Sequence, residues 1–108
     1  MENLFQKGEI LKLKEMIDYS SGGIVSKQVM KSSSGNITLF SFDKGQGLSE
    51  HIAPFDAMIQ ILEGESEVIV GGKLMNLKEG ESVILPASVV HAVNAVDRFK
   101  MLLTMILG

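Results

Sequence analysis

The chain has 108 residues, 45% of them apolar and 21% charged, with a formal net charge of −3, no cysteine and two histidines. A single domain of this size buries about 60–70% of its unfolded surface, enough for one core. Without cysteine there are no disulfides, thiolate nucleophiles or sulfur-rich metal sites, and without a basic stripe there is nothing to meet a phosphate backbone, so nucleic acid is not an expected partner.

No window holds ~18 uninterrupted apolar residues, and MENLFQKGEILKLK lacks the basic start, apolar middle and small-residue cleavage site of a secretory signal. A cytoplasmic protein with no membrane partner is expected. The N-terminal segment, residues 1–22, is the hardest to read. KLKEMIDYSS fits a short helical turn and an edge strand equally, and the lysines of this region alternate with acids as on a solvated face.

From Gly22 onward, short β-branched or alternating stretches are punctuated by glycine. GIVSKQVMK reads as a strand, SSSGN as its turn, and NITLFSF as the next strand, ending at DKGQG. MIQILEGE follows as a strand apolar on both faces. SEVIVGGKLMNL reads as a hairpin whose two central residues are Gly71 and Gly72, because both positions of a type I′ turn need positive φ. An acidic-glycine turn after Lys78 leads into a short strand ended by Pro86, which has no N–H for a ladder.

The last strand lies in RFKMLLTMILG. Phe99, Met101, Leu103, Met105 and Leu107 share one face, while Leu102 and Ile106 make the other largely apolar as well, so both sides are expected to lie against protein. Two covers for the second face are open: a homodimer, or the N-terminal segment folded back within the chain. No internal repeat or linker divides the sequence, and one domain over residues 1–108 is expected, with the barrel itself at 36–107.

Two residue patterns carry chemistry. His51 and His91 each sit beside a proline at a strand end, and two neutral imidazoles converging inside a small barrel form a candidate metal or ligand site. Glu50 adjoins His51 but on a strand points to the opposite face, and Asp56, five residues on and past a bend at Pro54 that leaves its direction open, is either a third metal ligand or a turn cap bonded to backbone N–H groups. No serine near these motifs assembles a nucleophilic triad from spacing.

The stretches 45–64 and 80–94 resemble the two motifs of the cupin superfamily. The first motif reads G, five residues, H-x-H, three or four residues, E, six residues, G. Here Gly45, His51 and Gly64 fall on register, while Ala53 stands where the second histidine belongs and Ala57 where the glutamate belongs. The second reads G, five residues, P-x-G, two residues, H, three residues, N. Gly80, Pro86 and His91 match, Ser88 replaces the glycine, and Asn94 comes one position early.

The resemblance implies an all-β, double-stranded β-helix (jelly-roll) barrel that often dimerises. It also implies a divalent transition metal (zinc, nickel, iron or manganese), held in the family by three histidines and a glutamate. Only His51 and His91 survive from that set, so metal is expected to be weakly held or absent, and the two alanines leave a larger, more apolar pocket.

If Ala57, Ile59 and Ile61 face inward, the cavity is apolar. A bulge after Pro54 would turn Asp56, Met58 and Gln60 inward instead, and Gln60 would then be a polar ligand contact rather than an exposed or interfacial amide. Phe55 is read as a wall at the barrel mouth or a core plug, and Met101 and Met105 as core packing or adaptable lining. The function expected is small-molecule binding at His51, His91, Gln60 and Phe55. The alternatives are a metal-dependent isomerase or dioxygenase acting on a small oxygenated substrate, and a structural homodimer with a vestigial site.

Overall fold

The structure is a computed structural model that describes residues 4–108, so the first three positions of the N-terminal segment lie outside it. Among the described residues nine strands follow a single 3-10 turn at Leu13–Glu15: β1 (Ile24–Ser32), β2 (Gly35–Phe42), β3 (Gly47–His51), β4 (Ala57–Glu63), β5 (Glu65–Val70), β6 (Lys73–Lys78), β7 (Ser82–Leu85), β8 (His91–Asn94) and β9 (Phe99–Ile106). They form a five-stranded sheet in the order β1-β2-β9-β4-β7 and a four-stranded sheet in the order β3-β8-β5-β6. Every pairing is antiparallel. This is the expected all-β jelly-roll, in which two sheets bury their facing sides against one another.

Alternation explains which residues fill the space between the sheets. Ala57, Ile59 and Ile61 on β4, Phe99 and Met101 on β9, Phe42 on β2, and Val68, Leu77 and Val93 from the other sheet make the main core. Phe42 and Phe99 stack with ring centroids 4.7 Å apart. The inward set of β4 therefore starts at Ala57. No slip after Pro54 reverses it, which disposes of the alternative register.

The hairpin turn forms where the glycine pair required it. Val70 pairs with Lys73 across Gly71 and Gly72, whose φ angles are +57° and +82°.

The second face of β9 is covered from within the chain. Phe5, Ile17 and Leu39 form a separate buried cluster, against which Leu11, Met16, Val25, Leu62 and Leu102 pack. The N-terminal segment is thus the cover for Leu102, and β9 does not require a homodimer for it. Ile106, near the strand end, stays 62% exposed.

The segment is neither helix nor strand over most of its length. Its carbonyls are met by side chains instead: Lys100 Nζ donates to Lys14 O (2.7 Å), Lys27 Nζ to Met16 O (2.9 Å) and Ser41 Oγ to Asp18 O (2.8 Å). Tyr19 completes the strap by donating its hydroxyl to Glu63 Oε2 at 2.6 Å.

No helix among the described residues is long and apolar enough to cross a membrane.

Candidate functional site

β3 and β8, neither of which shows a long alternating run in the sequence, bring the histidines together. Leu48 pairs with Val93, and after a register shift His51 pairs directly with His91. Gly47 permits this approach, because a Cβ there would run into the Val93 carbonyl oxygen and crowd Asn94. The two rings meet edge-on at 72° with centroids 4.1 Å apart. Their Nε2 atoms are 2.8 Å apart.

The other nitrogen of each ring is fixed by backbone. His51 Nδ1 lies 2.8 Å from Ser49 O and His91 Nδ1 lies 3.2 Å from Val89 O. A carbonyl oxygen only accepts, so both Nδ1 atoms are the protonated ones and both Nε2 atoms turn toward each other. His91 is 7% exposed, whereas His51 is exposed to solvent. Burial disfavours the charged form of His91 and holds it below the usual histidine range, and neighbouring His51 pushes the same way, against the Val89 hydrogen bond.

Behind the pair lies a cavity of about 180 Å³. Its wall includes Leu48, Phe55, Ile59, Val93, Leu103 and Met105, with Ala53 and Ala57 contributing only methyl groups. The histidines are the only titratable groups in that lining.

Phe55 is half-buried and walls the cavity, as one of its two readings had it. Met101 and Met105 both line the cavity, Met101 as part of the main core and Met105 packed against it. Gln60 and Asp56 require correction as inward-facing groups. Gln60 sits between the buried Ile59 and Ile61, opposite Ser82 and Leu102, and β4's alternation turns it away from the cavity. Asp56 is exposed, and its Oδ1 accepts the Ala87 N–H at 2.8 Å, which is the turn-capping role.

Val93 follows His91 by two positions, a spacing that puts both on one face of a strand, so it was accessible to a period-two reading. Leu48 precedes His51 by three, and only the register shift between them places both at the cavity. That shift leaves no mark in composition.

The metal implied by the resemblance can be tested against these donors. Transition-metal sites with histidine ligands take three or four protein groups, commonly with an anion among them. Here two imidazoles stand beside two methyl groups, and among the described residues no three His, Cys, Asp or Glu side chains are placed to hold an ion. This donor set does not fit a resident transition metal.

Comparison with known proteins places these features in context. The Cupin domain family model matches residues 38–107. A conserved protein of unknown function from Streptococcus pyogenes superposes with a TM-score of 0.91 at 31% identity, covering 98% of this chain and 93% of its own. A cupin superfamily protein from Desulfitobacterium hafniense gives 0.91 at 26% identity, covering 98% and 97%. A cupin 2 conserved barrel domain protein from Leptotrichia buccalis gives 0.85 at 41% identity over 89% of this chain and 47% of that one. No curated protein matches the chain.

Proposed function

The chain belongs to the cupin family, and we propose that it is a small-molecule-binding member whose pocket is anchored by His51 and His91. One observation carries this reading: an apolar cavity of about 180 Å³ whose polarity is confined to a histidine pair at its mouth. An apolar cavity of ~150 Å³ lined by leucine, isoleucine and phenylalanine stays dry and takes up benzene, so this one is large enough for a ring or a short chain. Ligand pockets of this kind pair an apolar wall with few polar groups that fix orientation.

The pair closes no core, so the double variant His51→Ala, His91→Ala should unfold cooperatively like the wild type. Toluene, supplied at about ten times its dissociation constant, should stabilise the wild type by ~1.4 kcal/mol and raise the melting temperature by several degrees. Ala57→Phe, which fills the cavity, should abolish the shift. A melting temperature that does not respond to toluene or to other ring-sized apolar probes would remove the binding reading and leave a structural barrel.

A further inference from the structure

The strap covers only part of the outer face of the five-stranded sheet, where it packs on Leu39, Leu62 and Leu102 together with Val25 and Val29 of β1. Beyond it a second row crosses all five strands in register. Met30 pairs with Ile37, Ile37 with Thr104, Thr104 with Met58, and Met58 with Ile84. Period two puts Ile37, Thr104 and Met58 on the side of the strap-covered residues of their strands. The register shift after Gln28 turns Met30 to that side, and Ile84 lies between the inward-packed Val83 and Leu85. Ile106, two residues past Thr104, extends the band.

This band is uncharged and largely open: Met30 is 58%, Ile84 63% and Ile106 62% exposed. Thr104 and Ile106 form a low ridge with a dip on either side, of about 250 Å³ toward β1 and about 210 Å³ toward β7. Charges stand only at its rim, with Lys31 at the first dip and Asp56 at the second.

The strap carries the matching relief. Its inner side is spent on the sheet, yet Leu4 and Ile10 remain 51% and 93% exposed. Glu9 and Lys12, both exposed, flank Ile10 with one charge of each sign, as Lys31 and Asp56 flank the band. The outer face is therefore a step, raised where the strap lies and low where the sheet is bare. A half-turn about an axis parallel to the band sets the raised half of one copy into the low half of the other, twice over.

We propose that a second copy of this chain covers the band, each copy laying Leu4 and Ile10 of its strap against Met30, Ile84 and Ile106 of the other. Such a contact is isologous, the commonest kind among homo-oligomers. Five strands ~4.8 Å apart make the band about 19 Å long and, with its side chains, about 15 Å wide, roughly 300 Å². Band and strap together then give about 600 Å² per copy, so the pair buries about 1,200 Å², the lower bound of a specific interface. The dimer is accordingly a micromolar one. It is independent of what the histidine pocket holds.

Sedimentation velocity across the micromolar to millimolar range should show a monomer–dimer equilibrium. Ile84→Lys on the band and Ile10→Lys on the strap should each weaken it at least tenfold while the melts stay cooperative. Leu74→Lys, at an equally exposed site on β6 of the other sheet, should leave it unchanged. The chain has no cysteine, so mixing Ile10→Cys with Ile84→Cys proteins and adding a short bifunctional maleimide should give a covalent dimer containing one of each.

A wild type that stays monomeric throughout would overturn the proposal, whether the bare band then binds phosphatidylcholine vesicles or nothing. Dissociation by Leu74→Lys in place of Ile84→Lys would put the interface on the other sheet and also overturn it. A dimer weakened by Ile84→Lys but indifferent to Ile10→Lys would overturn the docking of the strap.

Discussion

Ser88 is the one non-glycine residue with positive φ among those described, at +63°. It stands where the family pattern has glycine, and its N–H donates to Ala53 O at 2.7 Å, tying the turn before β8 to the loop that carries Ala53 and Phe55. The left-handed conformation costs a residue with a Cβ about 1–2 kcal/mol, and glycine gives back about 0.5–1 kcal/mol through its greater freedom when unfolded. Ser88→Gly keeps the N–H and should therefore stabilise the protein by about 0.5–1 kcal/mol, read as a higher urea midpoint with an unchanged slope. A midpoint that stays or falls would mean that the serine side chain compensates locally. The need for glycine here was visible in the sequence only through the motif, because a lone serine after Pro-Ala carries no sign of its backbone angle.

At the scale of elements, the N-terminal segment shows why its sequence fitted two conformations equally. KLKEMIDYSS is held in place by Lys100, Lys27 and Ser41 bonding to its carbonyls and by Ile17 inserted beside Leu39, contacts that neither a helical nor a strand period encodes. Tyr19 is its most exacting attachment. Its hydroxyl bonds Glu63, with the Arg98 guanidinium 4.5 Å and the Lys100 ammonium 5.1 Å from the ring centre. Burial first, and the Glu63 carboxylate second, push the phenol's ionisation well above its ordinary value, while the same hydrogen bond draws the Glu63 carboxyl down.

The sign follows from the raised value. Stability from the neutral phenol is fully present below pH ~10, where the unfolded tyrosine begins to ionise, and is lost as pH rises toward the folded value. Tyr19→Phe should cost about 1 kcal/mol at pH 7, the modest end for a bond to a charged and partly exposed acceptor, and should flatten the alkaline loss. Thermal melts of both proteins between pH 8 and 11 measure it, and parallel curves would discount the bond.

For the molecule as a whole, the strands with clean alternation or a glycine turn, β1, β2, β4 to β7 and β9, could be read from the chain because period two and turn chemistry are local properties. β3 and β8 could not. Each is short, and each owes its place to pairing with the other. The cavity was foreseen from two alanines standing at ligand positions, and its walls close around those same methyl groups. Its exact lining depended on the register shift at β3.

The same architecture makes restoration testable. Ala53→His together with Ala57→Glu should lower the stability of the metal-free protein, since an unpaired carboxyl then enters an apolar wall. Added zinc or nickel should recover the melting temperature and be retained near one per chain by elemental analysis. If the double variant gains no metal, the alanines are not at the positions from which ligands were lost.

β3 is a border strand with β8 as its only neighbour, while β8 is flanked on both sides. The two imidazoles therefore differ in tenure: one is anchored in the middle of a sheet, the other on its selvedge. Peeling back a handful of residues at that margin would part the nitrogens and uncover the hollow, so an edge strip of this protein is also a door to its interior.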